Sequence, residues 1–207
     1  MNEKAVDLGA PASAENWNDI RDWRKSSREL LIQRRLALPS HMRRAQGERA
    51  KQRLLENIDL GAYGTLGLYF PIRGEIDVRD IAQRHVEAGG RVALPVVVTR
   101  GAPVEFWNWS PGERLQRGLW NIPIPERREV VHPDALIIPL VGFDVSGFRL
   151  GYGGGYYDRT LAAAPNNPFR IGIGYSFARL QTIYPQPHDI PMHAIVTDAI
   201  FMRVNNG

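Results

Sequence analysis

The residues best suited to chemistry lie in the segment 142–159, where glycines are interleaved with arginine, tyrosine and aspartate. Four of the five residues at 151–155 are glycine, Arg149 precedes them, and Asp158 and Arg159 follow. Glycine lets backbone N–H groups approach an anion without interference from Cβ, and arginine adds positive charge. The segment therefore predicts a phosphate-binding loop, with Asp158 as a candidate magnesium ligand.

The loop lies between a predicted strand and a predicted helix start. Residues 136–141 are continuously apolar, as in a strand buried on both faces, and helical spacing resumes at Tyr156. A helix start after such a loop favours anion binding through the helix dipole. Neither GxxxxGK[ST] nor GxGxxG fits, because Phe148 and Tyr156 stand where lysine and the third glycine belong. A plain flexible connection remains the alternative.

A long helix with a basic stripe is predicted near the start of the chain. Helical spacing runs from Trp17 to about Leu38, and Pro39 ends it. Its predicted apolar face comprises Ile20, Trp23, Leu30, Leu31 and Leu38, and its basic stripe comprises Arg21, Arg24, Lys25, Arg28 and Arg35. The stripe is either a solvated face or a set of charges that reaches the phosphate loop.

The rest of the chain alternates between strand and helix patterns. Further strands are predicted at about 63–70, 91–98, 169–174 and 199–204. Helices are predicted at about 41–57 and in the segment that begins at the N-cap Asp77. The segment 110–134 is predicted to be irregular. This order predicts an α/β fold: a single three-layer domain, 17–207, with a mostly parallel sheet flanked by helices, after a flexible tail at 1–16. Glu75 and the glycine loop both follow strand ends, where such sheets bind ligands.

Bulk composition narrows the class of protein. A chain of 207 residues that is 43% hydrophobic suits one core. Without cysteine it has neither disulfides nor thiolate metal sites. It has no apolar run long enough to span a membrane and no apolar signal core at its start, so the cytoplasm is the expected location. The net charge of +4 suits nucleic acid or anionic substrates.

Several longer motifs together resemble one family. The strongest are PLVGFD at 139–144 and RLGYGGGYYDR at 149–159. Supporting motifs are IRGEID at 72–77, WNIP at 120–123, HDIP at 188–191 and VTD at 196–198. On these motifs, from about Trp23 to Val204, the chain resembles the 5-formyltetrahydrofolate cyclo-ligase family, also called methenyltetrahydrofolate synthetase.

The resemblance implies ATP- and Mg²⁺-dependent closure of 5-formyltetrahydrofolate to 5,10-methenyltetrahydrofolate. It implies ATP binding by Arg24, Lys25, Arg28, Arg149, Leu150, Gly151, Tyr152, Gly153, Gly154, Gly155, Tyr156 and Tyr157. Substrate contacts are implied for Phe70, Glu75, Trp120 and Tyr157, and magnesium contacts for Asp158 and Asp189. Arg149 and Tyr157 are the predicted catalytic residues. The implied partners are ATP and 5-formyltetrahydrofolate, with or without a polyglutamate tail, and the protein is expected to be a monomer or small homo-oligomer.

The chain departs from the family pattern at two places. Many members carry a lysine where this chain has Gly154, so one phosphate contact is absent or comes from elsewhere. By spacing, Arg24 takes the place of the family's N-terminal lysine, but Lys25 is next to it, and both remain candidates. Two rival functions are a folate- or nucleotide-binding paralogue without turnover and an RNA-binding module. The second is disfavoured because RNA binding needs aromatic stacking platforms beside the charge, and the basic helix shows only Trp17 and Trp23, of which Trp23 falls on the apolar face. Neither nucleic acid nor a membrane is an expected partner.

Overall fold

A computed structural model describes residues 7–204 and contains a central sheet with helices packed on it. The helices are α1 Trp17–Ala37, α2 Ser40–Asn57, α3 Arg79–Glu87 and α4 Tyr156–Ala163. The strands are β1 Thr65–Gly67, β2 Arg91–Val96, β3 Glu105–Asn108, β4 Leu115–Arg117, β5 Pro123–Pro125, β6 Val130–Val131, β7 Ala135–Pro139, β8 Gly142–Phe143, β9 Arg149–Leu150, β10 Phe169–Gly174, β11 Ala194–Thr197 and β12 Phe201–Arg203.

The main sheet has eight strands in the order β12-β11-β10-β7-β1-β2-β3-β6. The five inner strands, from β11 to β2, pair in parallel, whereas β12, β3 and β6 join antiparallel at the two edges. The leucine and isoleucine side chains of β7 and β10 are fully buried, as parallel strands covered on both faces require. The predicted α/β fold with a mostly parallel sheet is confirmed.

The strand order reverses direction between β1 and β7. From β1 the chain passes through α3 to β2 on one side, and from β7 it passes through α4 to β10 on the other. Right-handed crossovers put α3 and α4 on opposite faces of the sheet. In such folds a crevice opens at the carboxyl ends of the two strands where the order reverses. The loops after β1 and β7 therefore line the expected binding cleft.

Helix α1 packs against these loops with a face that is partly basic. Its buried residues are Ile20, Arg24, Ser27, Leu31 and Arg35. Of the predicted apolar face, Ile20 and Leu31 are buried, whereas Leu30 is 52% exposed. The two arginines bury their aliphatic stems and donate to backbone carbonyls, which satisfies their charged ends.

Several predicted boundaries differ from those observed. The strand expected at 63–70 is only three residues long, and α3 begins at Arg79 with Val78 as its N-cap. Asp77 was predicted to be that cap, but it lies one residue earlier, where its carboxylate accepts a hydrogen bond from the Arg79 N–H at 3.1 Å. Local polar groups thus support the helix start although the cap residue itself is apolar.

Some short strands lie in a segment that was predicted to be irregular. Another lies next to a predicted strand and was not predicted as a separate strand. The segment 110–134 contains the β4–β5 pair and β6, and a four-residue strand, β11, precedes the predicted last one. Such short strands carry too few residues to show alternation. Residues 1–6 lie outside the described residues, while 7–16 form neither helix nor strand, and Trp23 Nε1 donates to the Gly9 carbonyl at 3.1 Å. The predicted flexible tail stays a prediction.

A histidine at the amino ends of the strands makes the stability of the fold depend on pH. The Arg170 N–H donates to His193 Nδ1 at 3.0 Å, and Arg170 Nη2 lies 2.7 Å from His193 Nε2. Burial, Arg170 and Arg203 lower the pKa of His193 below its usual 6.5. Its stabilising contribution is therefore fully present above about pH 6.5 and is lost as the pH falls through the lowered folded-state pKa.

We predict that His193→Gln flattens the dependence of unfolding free energy on pH below about pH 6.5. Urea denaturation of both proteins at a series of pH values measures this slope. An equally steep acid loss in the variant would show that His193 does not cause it.

Candidate active site

A short hairpin separates β7 from the glycine loop. Strands β8 and β9 pair antiparallel, and the loop that follows β9 runs into α4. Gly153 and Gly155 have φ of +91° and +63°, in the left-handed region that favours glycine. The free N–H groups of the first turn of α4 face the end of this loop and carry partial positive charge. The predicted order of strand, loop and helix is confirmed, with the hairpin as an addition.

Arg28 of α1 is a cation that reaches this loop from another element. Its Nε donates to the Gly151 carbonyl at 2.8 Å, and a Cβ added at Gly153 would lie 3.3 Å from its Cζ. Within residues 7–204 this is the one hydrogen bond that Arg28 donates, so its Nη groups remain free for an anion. Burial and the positive charge of Arg24 lower the pKa of Arg28. A bound anion would relieve both effects.

Arg24 has a different environment from its neighbour Lys25. Its Nη2 pairs with Asp189 Oδ2 at 2.5 Å, and its Nε and Nη2 also donate to the carbonyls of Ile183 and Tyr184, each at 2.9 Å. The Arg24 side chain is 6% exposed. Lys25 is exposed on the same helix. Of the two candidates for the phosphate contact, Arg24 is held in an ion pair, whereas Lys25 forms no ion pair within residues 7–204.

The two predicted magnesium ligands each form an ion pair with an arginine. Asp189 Oδ2 accepts from Arg24 and from the Gln186 N–H at 2.7 Å, so metal binding there would break a buried ion pair. Asp158 Oδ1 forms an ion pair with Arg149 Nη2 at 3.0 Å and accepts a hydrogen bond from the Ile190 N–H at 3.1 Å. Within the described residues the Asp158 Oδ2 atom accepts no hydrogen bond.

These contacts decide how well the site fits magnesium. In residues 7–204 no three His, Cys, Asp or Glu side chains cluster as a metal site. Mg²⁺ at phosphate sites commonly takes only one or two carboxylates, with water and phosphate oxygens completing the octahedron. Asp158 fits such a single-carboxylate role through Oδ2, whereas Asp189 does not fit it while paired with Arg24.

Arg149 lies buried beside Asp158 rather than in the open cleft. Besides the ion pair, its Nη1 donates to the Ile190 carbonyl at 2.9 Å, and its guanidinium lies 5.8 Å from the centre of the Tyr157 ring. Burial and the negative charge of Glu75 raise the pKa of Tyr157, so its hydroxyl stays neutral and able to donate. In this structure Arg149 orients Asp158 and Ile190, and its predicted catalytic role stays a prediction.

Glu75 has one hydrogen bond on each carboxylate oxygen. Oε2 accepts from the Ile72 N–H at 2.8 Å, and Oε1 accepts from the Tyr152 hydroxyl at 2.9 Å. Since each oxygen can accept twice, each retains one acceptor position for a ligand. Burial raises the pKa of Glu75 above its usual value of 4.5, although these hydrogen bonds and Arg35 act against the rise.

Three side chains for which no ligand contact was predicted hold the Glu75 loop. Arg35 Nε donates to the Arg73 carbonyl, Tyr175 Oη to the Gly74 carbonyl and Tyr69 Oη to the Ile76 carbonyl, at 2.9, 2.9 and 2.6 Å. Tyr175 directly follows the predicted strand 169–174, and this position after a strand end is the sequence feature that points to the cleft. The donors come from three separate elements, which no local pattern shows.

Gly154 and the aromatic residues form the outer side of the loop. Trp120 is 58% exposed with φ of +54°, and its ring meets the Tyr156 ring edge-on at 5.5 Å. A Cβ at Gly154 would lie 2.7 Å from that same Tyr156 ring. A lysine at this position therefore requires Tyr156 to move. Phe70, partly buried just after β1, lies under the Arg79 guanidinium at 5.2 Å.

The predicted residues thus fall into two groups. Arg28, Glu75 and residues 151–157 are brought together around one cleft by α1, the loop after β1 and the loop after β9. Arg24, Asp189, Arg149 and Asp158 form two arginine–aspartate pairs at its side. Leu150 is buried in β9, which pairs with β8.

Comparison with known proteins decides the family. The model of the 5-formyltetrahydrofolate cyclo-ligase family matches residues 20–198. The chain belongs to this family. It is 31% identical over 175 residues to the 5-formyltetrahydrofolate cyclo-ligase of Escherichia coli K12, covering 81% of this chain and 96% of the relative. The Mycolicibacterium smegmatis cyclo-ligase is 29% identical over 178 residues, 82% of this chain and 91% of the relative.

Solved structures agree with this assignment. The fold matches the NMR structure of Aquifex aeolicus 5,10-methenyltetrahydrofolate synthetase with a TM-score of 0.77 at 28% identity, over 89% of this chain and 94% of that one. The Mycoplasma pneumoniae synthetase matches with a TM-score of 0.69 at 26% identity, over 84% and 98% of the two chains. The family prediction is confirmed. No helix within residues 7–204 has the length and apolar character to cross a membrane.

The contrast between Arg24 and Lys25 gives a paired prediction. We expect Arg24→Ala to lower the free energy of unfolding by about 3–5 kcal/mol, because it leaves Asp189 buried and unpaired. Urea denaturation measures the loss. The control Arg21→Ala removes an exposed pair with Asp22 on the same helix and should cost no more than about 1 kcal/mol.

Lys25→Ala supplies the other half of this test. It should leave stability unchanged and weaken binding of Mg-ATP, measured by calorimetry. An unaltered nucleotide affinity in Lys25→Ala would contradict a phosphate contact by Lys25. Equal losses of stability in Arg24→Ala and Arg21→Ala would contradict a structural role of Arg24.

Proposed function

We propose that the protein catalyses the ATP- and Mg²⁺-dependent cyclisation of 5-formyltetrahydrofolate to 5,10-methenyltetrahydrofolate, with release of ADP and phosphate. One observation carries this proposal beyond family membership. The glycine loop contacts the free cation Arg28 at Gly151 and contacts Glu75 through Tyr152, the next residue. An anion-binding group and a carboxylate suited to a pterin thus share one short loop.

The folate end of the site is assigned to Glu75. A pterin presents adjacent N–H donors, and a carboxylate with one free acceptor position on each oxygen suits two such donors. Trp120, Phe70 and the Tyr157 ring are the aromatic groups predicted to contact the rest of the folate. The exposure of Trp120 and its left-handed backbone support a role in binding rather than in the core.

The nucleotide end is assigned to the loop, α1 and the start of α4. Backbone N–H groups of residues 151–157, the Arg28 Nη groups and Lys25 supply donors and positive charge for the phosphates. Phosphoryl transfer needs mainly positioning and neutralisation of charge, and these groups provide both.

The proposed chemistry converts a poor leaving oxygen into phosphate. The formyl oxygen on N5 attacks the γ-phosphorus of ATP, the bond to the bridging oxygen breaks, and ADP leaves. The product is an N5-iminium phosphate. N10 then attacks the iminium carbon and loses its proton. Cleavage of the C–O bond releases phosphate and leaves the methenyl bridge. Phosphate carries away the oxygen that was the formyl oxygen.

Asp158 is the residue proposed to hold magnesium, through the free Oδ2 atom. Magnesium would supply neutralisation of phosphate charge when it is bound with the nucleotide. Arg149 fixes Asp158 through the 3.0 Å ion pair and holds the Ile190 peptide that donates to the same carboxylate. The role predicted for Asp189 requires its release from Arg24.

The direct test follows the absorbance of 5,10-methenyltetrahydrofolate after mixing purified protein, 5-formyltetrahydrofolate and Mg-ATP. We expect product only when all are present. Binding of both ligands without product would show a paralogue that does not turn over. The cytoplasmic location, the oligomeric state and any preference for polyglutamate tails stay predictions.

Arg28 gives the first prediction from this mechanism. Arg28→Ala should lower kcat/KM by about 10²-fold, because it removes a charge placed against the phosphate loop. Steady-state kinetics in the absorbance assay measures the change. Arg21→Ala, which removes an exposed arginine from the same helix, should retain normal kinetics. Near-normal turnover in Arg28→Ala would exclude Arg28 as a phosphate ligand.

Glu75 gives the second prediction. Glu75→Gln should weaken binding of 5-formyltetrahydrofolate by about 10–100-fold, because it removes charge-assisted hydrogen bonds, while nucleotide binding alone is unchanged. Calorimetric titrations with each ligand measure both affinities. Equal loss of both would indicate a structural role.

The raised pKa of Glu75 adds a pH dependence with a defined sign. Folate affinity should be full above this pKa and fall as the pH drops through it, because the protonated carboxyl is a poorer acceptor. The loss should begin above the usual range for glutamate, and it should be absent in Glu75→Gln.

A further inference from the structure

The glycine loop carries one side chain whose hydroxyl connects two parts of the cleft. Tyr152 stands between Gly151 and Gly153, and it is 40% exposed. Its hydroxyl accepts a hydrogen bond from Arg35 Nη2 at 2.7 Å and donates to Glu75 Oε1 at 2.9 Å. A side chain on the proposed nucleotide loop thus contacts the carboxylate proposed to bind the pterin.

Both ends of this chain of hydrogen bonds are fixed. Arg35 is 3% exposed and also donates to the carbonyls of Arg73 and Leu140, at 2.9 and 3.4 Å. Glu75 is held on its other oxygen by the Ile72 N–H. The Arg73 guanidinium lies 5.8 Å from the centre of the Tyr152 ring, which restricts the ring from one side. The tyrosine is therefore the central member, and its position depends on the loop backbone.

The backbone on both sides of Tyr152 faces the proposed phosphate site. Arg28 binds the Gly151 carbonyl, and its guanidinium lies against Gly153, whose φ of +91° other residues rarely adopt. Phosphate groups bound by this loop would fix the peptides that flank Tyr152. A fixed Tyr152 hydroxyl would in turn hold Glu75 ionised and oriented toward the pterin.

We propose that Tyr152 is a positioning residue that couples the binding of nucleotide to the binding of folate. This inference rests on the proposed function of the site. Each ligand favours the loop position in which Tyr152 contacts Glu75, so each should raise the affinity for the other. Thermodynamic linkage requires that the two increases be equal.

The test compares affinities of each ligand alone and together. Calorimetry on the full chain gives the Kd of 5-formyltetrahydrofolate with and without the Mg²⁺ complex of a non-hydrolysable ATP analogue, and the reverse. We expect the wild-type protein to show equal increases of at least about fivefold in both directions. In Tyr152→Phe both ratios should fall to about one, with binding of the analogue alone retained.

Tyr63→Phe is the matched control, since Tyr63 stacks on Phe169 at 5.7 Å before β1, at the amino ends of the strands. It should keep the wild-type ratios. A merely structural role of Tyr152 would lower the melting temperature or both affinities without changing the ratio. Unchanged coupling in Tyr152→Phe, or no coupling in the wild type, would overturn this inference and leave the proposed function untouched. Failure of the wild type to bind 5-formyltetrahydrofolate would overturn the proposed function and this inference with it.

Discussion

The architecture of the cleft depends on hydrogen bonds from buried and half-buried arginines of α1 to loop carbonyls. Arg24, Arg28 and Arg35 lie four and seven residues apart on one helix face, and they donate to carbonyls after β7, after β9, in the Glu75 loop and in the segment 183–184. Loops at a sheet edge leave many carbonyls without partners, and guanidinium groups satisfy several at once. Removing the helix would therefore release the loops that form the site.

This dependence explains which features the sequence could predict. The strand before the glycine loop and the start of α4 rest on local patterns, apolar residues in a row and helical spacing, so they were predictable. The burial of Arg24 and Arg35 was not, because their acceptors lie 159 and 105 residues away at Ile183 and Leu140. A basic stripe usually indicates a solvated face, and only tertiary contacts reverse that interpretation here.

Glu75 illustrates a conflict between stability and function. Its raised pKa means that ionisation is harder in the folded protein than in the unfolded chain, so the ionised group lowers stability at neutral pH. Its contribution is favourable only at low pH and is lost as the pH rises through the folded-state pKa. The proposed pterin recognition requires the ionised form. The Ile72 N–H and the Tyr152 hydroxyl limit this cost while leaving acceptor positions unused.

Gly154 brings no charged side chain to the glycine loop, so positive charge near the loop has to come from other residues. A side chain there would meet the Tyr156 ring, which packs edge-on against Trp120 and lies beneath the Arg159 guanidinium. Arg159 also donates to the Gly154 carbonyl. The absence of a side chain at Gly154 therefore leaves room for the Tyr156 ring over the loop. Positive charge then comes from α1, where Arg28 contacts the loop at Gly151. Because charge from a helix depends on how that helix is docked, the arginines that anchor α1 also set the position of the charge at the proposed phosphate site.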